Sequence, residues 1–337
     1  MIISKTPFRV SFFGGGTDYP QWYLKYGGKV ISTAINKYCY ITCRYLPNFF
    51  DHKHRFVYSK IELINDLGKI QHPVIKHTLK KYWKNEMGLE IHHDGDLPAR
   101  SGLGSSSSFT VGLINSLHAL QNINLDNKDL YLKAIDIEQN YVKDTVGSQD
   151  QVAVSVGGLN KIIFNKNGKI QVKNIKINKE KFANLSSSLY LLYTGISRHA
   201  SKFAKKKIDN IDSKYSYFNS LSQYVEECEK ILLSKSTNMD SLGELLHESW
   251  QIKKKLSSSI SNSKINNLYD EAINSGAIGG KLIGAGGGGF LLLYIPKKNI
   301  KNFLKKFNKF TIVPLGISKK GAQIIFNDIK RLNSKNV

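Results

Sequence analysis

Residues 98–108, Pro98-Ala-Arg-Ser-Gly-Leu-Gly-Ser-Ser-Ser-Ser108, form a glycine and hydroxyl loop that runs directly into FTVGLINSLHALQ (109–121). Phe109, Leu113, Leu117 and Leu120 recur at helical spacing, which predicts an amphipathic helix with the serines at its N-terminus. Glycines let a backbone approach an anion closely, and the first N–H groups and positive dipole end of a helix stabilise phosphate oxygens. The loop therefore predicts a phosphate site. A flexible serine linker would not stand between a strand and so regular a helix. No GxxxxGK[ST] occurs, and GxGxxG lacks a parallel βαβ context, so neither of the commonest nucleotide signatures applies.

Upstream of this loop the chain reads as β. IISKTPFRVSFF (2–13) alternates and ends in GGGTDYP, and KVISTAINKYCYITCRYL and LEIHHDGDLP read as further strands. Downstream, KDLYLKAIDIEQNYVKD predicts a second helix with Leu130, Ala134, Ile137 and Tyr141 on its buried face and Glu138 at the edge. The polar stretch 165–188 has hairpin character and is the best domain boundary. Beyond it come a strand (LYLLYTG), helices to about residue 275, the hairpin-like GGKLIGAGGGGFLLLYIP, another helix, and a last strand near FTIVPLGI. This order predicts an α+β protein of two domains, 1–184 and 185–337. SSSISNSK near 257–264 reads as a loop.

At 337 residues, with 41% hydrophobic and 22% charged side chains, the chain has the composition of a globular protein and rules out overall disorder. No run of about 18 apolar residues is present to cross a membrane, and the N-terminus enters a strand rather than a signal peptide. With Cys39, Cys43 and Cys228 as its only cysteines, the chain is expected to be cytoplasmic, with the first two in the core. The net charge of +23 favours anionic partners. Its lysines are dispersed, however, and segments such as 202–209 and 297–310 read as solvated helix faces, so nucleic acid is not expected. His92-His93-Asp94 lies on a strand whose neighbours point to opposite faces, which argues against a metal site.

Three motifs in order resemble those of the GHMP kinases, a superfamily of small-molecule kinases. Arg9-Val-Ser-Phe-Phe-Gly-Gly-Gly-Thr-Asp18-Tyr19 matches the first motif of its sugar kinases, GLGSSSS the second, and Gly284-Ala-Gly-Gly-Gly-Gly289 the third. The motifs span residues 9 to 289. GGGTDYP, GSQDQ and TGISR look most like the heptose 7-phosphate kinases and their fucokinase relatives. Galactokinases carry Glu-His where this chain has Gly15-Gly16, which disfavours galactose.

The resemblance implies an N-terminal ribosomal-protein-S5-domain-2-like domain and a C-terminal ferredoxin-like domain, with ATP and Mg²⁺ as cofactors. It implies Asp150 as the base or orienting carboxylate and Arg9 as the cation beside the acceptor oxygen. Gly102, Leu103, Gly104, Ser105, Ser106, Ser107, Gly286 and Gly287 would hold the nucleotide, and Ser106 with Glu138 the Mg²⁺. Asp18, Thr17 and Gly16 would meet the sugar. Arg198, Lys202 and Arg100 are the candidate cationic clamp for a sugar phosphate.

The expected activity is phosphorylation of the anomeric hydroxyl of D-glycero-D-manno-heptose 7-phosphate to the 1,7-bisphosphate, for nucleotide-activated heptose. The residues alone say only nucleotide-dependent phosphorylation of a polyol. An anomeric kinase of a free sugar such as fucose is the runner-up. A basic RNA-binding protein on an S5-like fold is the alternative of another class. The expected partners are thus ATP and a sugar phosphate, with a homodimer left open.

Overall fold

The computed structural model describes residues 1–99, 101–196, 215–236, 238–255, 260–284 and 286–329. Two sheets organise them. The larger has eight strands in the order β12-β1-β2-β5-β3-β4, with β6 pairing β2 and β7 pairing β6. β1 (Ile2–Phe13) runs antiparallel to β2 (Gly28–Leu46) along nearly its whole length. At 19 residues, β2 is long enough to serve two further neighbours. Its first part pairs β6 (Leu159–Phe164) and its last part pairs β5 (Gly88–Gly95). β3 (His54–Val57) and β4 (Ile61–Ile64) extend the β5 edge, and β7 (Ile170–Asn174) completes the hairpin expected after residue 165.

The smaller sheet has the order β11-β8-β10-β9, from β8 (Leu189–Tyr193), β9 (Gly279–Leu282), β10 (Phe290–Tyr294) and β11 (Ile312–Pro314). LYLLY and FLLLY are continuous apolar runs because both faces of this sheet are covered. Leu189, Leu191, Phe290 and Leu292 join the core of the larger sheet, and the alternate residues Leu192, Leu291 and Leu293 pack on Trp250, Tyr269 and Phe303. The two sheets thus share one hydrophobic core. β12 (Gln323–Asn327) lies beyond the last strand expected from sequence, and it returns to pair with β1. A strand from beyond residue 185 thus completes the edge of the larger sheet.

The helices in chain order are α1 (Pro20–Tyr26), α2 (Pro73–Tyr82), α3 (Ser105–Leu120), α4 (Asn127–Asp136), α5 (Gln149–Val156), α6 (Lys179–Ser188), α7 (Tyr215–Leu233), α8 (Asp240–Lys255), α9 (Ser263–Asn274) and α10 (Ile300–Lys306). α3 is the helix expected after the serine loop, and Phe109, Leu113, Leu117 and Leu120 are all buried. It covers the face of β2 that carries Cys39, Ile41 and Cys43, three core residues. α7 is tied to the larger sheet by Lys161 on β6, whose Nζ donates to Glu229 at 2.6 Å and to both carboxylate oxygens of Glu226. No helix among the described residues is long and apolar enough to cross a membrane.

Candidate active site

The site is assembled where β1 ends. Arg9 is 5% exposed, and each of its three guanidinium nitrogens donates a hydrogen bond. Nε donates to Asp150 Oδ1 at 2.7 Å, Nη2 to Asp150 Oδ2 at 2.5 Å, and Nη1 to the Gly102 carbonyl at 2.7 Å. The Arg9 backbone N–H also donates to Leu103 O at 3.0 Å. One side chain thus joins the first turn of α5 to the loop that opens α3. A bidentate guanidinium–carboxylate pair fixes direction as well as charge.

The turn after β1 is built by its own residues. Gly14 has φ +84°, and a Cβ there would lie 2.0 Å from Lys29 O. Thr17 is fully buried, with its hydroxyl donating to Gly14 O and accepting from Lys29 N. Asp18 is 1% exposed and accepts from Gly16 N at 2.7 Å and Gln149 N at 3.3 Å. As the structure stands, Thr17, Asp18 and Gly16 hold the turn against the GSQD segment. Beside them, burial and the charges of Asp18 and Asp150 push the Tyr19 phenol well above its ordinary pKa.

The glycine and serine loop opens α3 directly. Gly102 and Gly104 take φ of +84° and +75°, and Gly104 is the N-cap of α3. A glycine cap offers no side chain to the first helical N–H groups, so the helix end suits an anion. Ser105 is half-buried, Ser106 exposed and Ser107 buried. The third motif meets this loop through Gly289, where a Cβ would lie 2.6 Å from Ser101 O. Gly289 O accepts from Thr194 N and its N–H donates to Ile196 O. Gly286 and Gly287 pack instead against Ile260. Buried Lys253 ties down the start of the segment by donating to Leu282 O and Gly284 O.

Glu138 departs most from the sequence reading. After α4 the chain takes a π-helical turn, Ile137–Tyr141, in which Val142 N bonds Ile137 O. The widened turn changes the register of the helix face. Glu138 goes inside, 1% exposed, whereas Tyr141, expected in the core, is 41% exposed. Its carboxylate accepts from Ser107 Oγ at 3.0 Å, from Thr110 Oγ1 at 2.7 Å and from Gln151 Nε2. Burial pushes its pKa up to about 7, against those hydrogen bonds and with help from the nearby Asp150 charge.

Among the described residues, no three His, Cys, Asp or Glu side chains form a cage for a metal. One carboxylate ringed by hydroxyls beside a phosphate loop does fit a hard cation that completes its shell with phosphate oxygens and water. The hydroxyls bonded to Glu138 are those of Ser107 and Thr110, not that of Ser106, whose carbonyl accepts from Thr110.

Sequence reasoning missed Gln151, Ser107 and Thr110 as partners of Glu138. It also missed an aromatic group beside α3, where the His72 and His93 rings lie 5.0 and 5.1 Å from Phe109, and Tyr58 packs on His72. The second glutamine of SQDQ was the one available signal. Arg100, Arg198 and Lys202 lie outside the described residues.

Comparison with known proteins gives two family matches, GHMP kinases N terminal domain over residues 69–158 and GHMP kinases C terminal over residues 226–312. The chain is similar to the D-glycero-alpha-D-manno-heptose 7-phosphate kinase of Campylobacter jejuni, 27% identical over 318 residues covering 91% of this chain and 93% of that protein. It is similar to the galactokinase of Pyrococcus furiosus, 26% identical with 89% and 90% covered. Among solved structures, a D-glycero-D-manno-heptose 1-phosphate kinase from Bacteroides thetaiotaomicron superposes with a TM-score of 0.77 at 22% identity, covering 97% of this chain and 99% of that one.

Proposed function

Because the chain belongs to the GHMP kinases, we propose that it transfers the γ-phosphate of ATP to a sugar, and that the sugar is D-glycero-D-manno-heptose 7-phosphate, taken at its anomeric hydroxyl. The observation that carries the reading is the Arg9–Asp150 fork standing against the loop that opens α3. The choice of sugar is supported by the heptose 7-phosphate kinase among the relatives and by the GGGTDYP and GSQDQ segments.

Phosphoryl transfer has little covalent chemistry for a protein to perform, so positioning and charge decide the rate. The α3 N-terminus and the Gly102–Ser107 loop bind the nucleotide phosphates. Asp150, 23% exposed at its side chain, orients the acceptor hydroxyl and takes its proton as the new P–O bond forms and the β,γ-bridging bond of ATP breaks. Arg9 aims that carboxylate through its paired hydrogen bonds, and places positive charge where the transferring group becomes more negative. Glu138, with the Ser107 hydroxyl bonded to it and the exposed Ser106 hydroxyl as a second ligand, would hold Mg²⁺, which supplies neutralisation of the phosphate oxygens. Arg100, Arg198 and Lys202 are proposed for the distal phosphate of the sugar.

The test is ADP release in the presence of ATP and Mg²⁺ with heptose 7-phosphate, free heptose, mannose and fucose supplied separately, and Asp150→Asn as control. Turnover confined to heptose 7-phosphate and lost in the variant is the expected result. Preference for a free sugar would retain the kinase and discard the distal clamp.

A further inference from the structure

We propose that the outer face of the larger sheet carries a second anion site, separate from the loop that opens α3, which takes a nucleoside diphosphate: its phosphates on Arg44 and Arg55, its base in the cavity beside them. Cys43 faces α3, so Arg44, the next residue of β2, points to the opposite side of the sheet. β5 brings Glu90 across from Arg44, and β3 brings Arg55 across from Glu90, so the three form one row. Glu90 is 4% exposed beneath its neighbours. Arg44 Nε donates to Glu90 Oε2 at 2.5 Å, while His92 Nε2 lies 2.8 Å and Arg55 Nε 3.5 Å from Oε1. One arginine would neutralise this carboxylate, and the second leaves the row with a net positive charge. Arg44 donates through Nε only and Arg55 makes no side-chain hydrogen bond, so among the described residues the terminal guanidinium nitrogens of both stay open, on side chains 44% and 38% exposed. A buried carboxylate thus holds two guanidiniums side by side, an arrangement that suits phosphate oxygens.

The cavity begins one row further along, about 7 Å away. There Leu46 pairs with Gly88, and the Lys53 backbone runs so close that a Cβ on Gly88 would lie 2.4 Å from Lys53 O. These residues floor a cavity of about 570 Å³, within the range of small-ligand sites. Pro47, Phe50 and Met87 give it apolar walls, and Phe50 and Met87 are left exposed to water. The Phe50 and His52 rings lie 5.5 Å apart, so a planar base would meet aromatic faces, and the Asn48 carboxamide can both donate to its edge and accept from it. The wall is preformed, because Lys53 N donates to Asn65 Oδ1 at 2.7 Å and Asn65 Nδ2 to Asp51 O at 3.3 Å, tying the loop after β2 to the end of β4. Lys53 adds a cation to the cavity against the one carboxylate there, Glu86. The net charge of +23 draws anions to such a face. The reacting groups are remote from it. Arg9 pairs with Ala34, ten residues before Arg44 on β2, about 33 Å along the strand.

The experiment photolabels the full-length protein with 8-azido-ADP and maps the modified peptides, in the native chain and in Arg44→Gln, Arg55→Gln and Phe50→Ala, with melting temperature and KM for ATP recorded for each. The native chain should be labelled within 46–53 or 86–88. Each variant should lose that labelling tenfold or more while KM for ATP stays within twofold. Because Arg44 and Arg55 also shield Glu90, a lower melting temperature in either would pass the decision to Phe50→Ala, which stands on the exposed wall. GDP should displace the label from these segments at least tenfold better than inorganic pyrophosphate. Absence of label from both segments in the native chain, or labelling there that survives all three substitutions, would overturn the site. Displacement by pyrophosphate as effective as by GDP would overturn the placing of the base in the cavity.

Discussion

Arg9 and Asp150 are 141 residues apart in sequence and joined by two parallel hydrogen bonds, from Nε at 2.7 Å and Nη2 at 2.5 Å. The third guanidinium nitrogen holds Gly102 O, so the pair also fixes the phosphate loop. Lysine has one point charge and cannot make this fork. Arg9→Lys is expected to lower kcat about ten- to a hundredfold, the size of one or two charge-assisted hydrogen bonds. Asp150→Asn keeps the shape and removes the carboxylate proposed as base, and is expected to lower kcat about 10²- to 10⁴-fold. Steady-state ADP release by each purified variant measures both. Full activity in Asp150→Asn would exclude proton transfer to that carboxylate.

Glu138 gives a pH dependence of known sign. An ordinary glutamate, as in the unfolded chain, loses its proton near 4.5, whereas burial pushes that of Glu138 in the fold up to about 7. The folded state therefore holds its proton more tightly than the unfolded one. The associated stability is fully present below about pH 4.5 and is lost as pH rises to about 7, a difference of roughly 3 kcal/mol. Glu138→Gln has no proton to lose. In urea titrations without divalent cation, the variant should gain stability relative to the native protein between pH 5 and pH 7.5. A difference independent of pH would mean that Glu138 ionises normally despite its burial.

The parts of this fold that were legible in the sequence are those with a clear period. β1, β2, β5, β8, β10 and α3 were read from alternation, continuous apolar runs or the Phe109–Leu120 spacing, and all are present. β3 and β4, HRFV and IELI, have four residues each, too few to establish a period. β12 was missed because its partner, β1, lies at the other end of the chain. In the site, Asp150 and Arg9 were identified as a pair of roles, and the structure adds that they touch. Glu138, read at the edge of the buried face, lies inside it four residues after Ala134, whereas Tyr141 leaves the core because a constant 3.6-residue period does not anticipate a π turn. Gln151 was passed over because its partner is 13 residues away and on another helix. Thr17 and Asp18 stand in a turn motif that gives no hint of how completely the turn consumes their polar atoms.

The aromatic group beside α3 supplies a second pH effect, of opposite sign. Burial lowers the pKa of His72 from 6.5 to about 4, with Glu62 pulling it up less strongly. The ring stays neutral in the fold while the unfolded chain takes up a proton. Its contribution is therefore present above about pH 6.5 and lost as pH falls toward 4. His72 also caps α2, where Nδ1 accepts from Ile75 N, and asparagine preserves a cap. The melting temperature of His72→Asn should fall less steeply than that of the native protein between pH 6.5 and 4. Parallel curves would show that His72 is not responsible.

Gly147 and Asp18 are coupled by space. A Cβ on Gly147 would lie 1.8 Å from Asp18 Oδ2, closer than any non-bonded contact allows. Asp18 cannot yield freely, because its carboxylate accepts from Gly16 N and Gln149 N and it is 1% exposed. Gly147→Ala should therefore displace the turn after β1, at a cost of about 3 kcal/mol or more, typical of a broken buried charged network. Asp18→Ala alone leaves those amides without their acceptor and should cost about 2–3 kcal/mol. In the double variant the clash no longer exists, so the two losses should fall short of additive by 1 kcal/mol or more. Urea denaturation of the four proteins gives this coupling directly. Additive losses would place the Gly147 penalty elsewhere in the GSQD segment and would separate the two halves of the site that Asp18 joins.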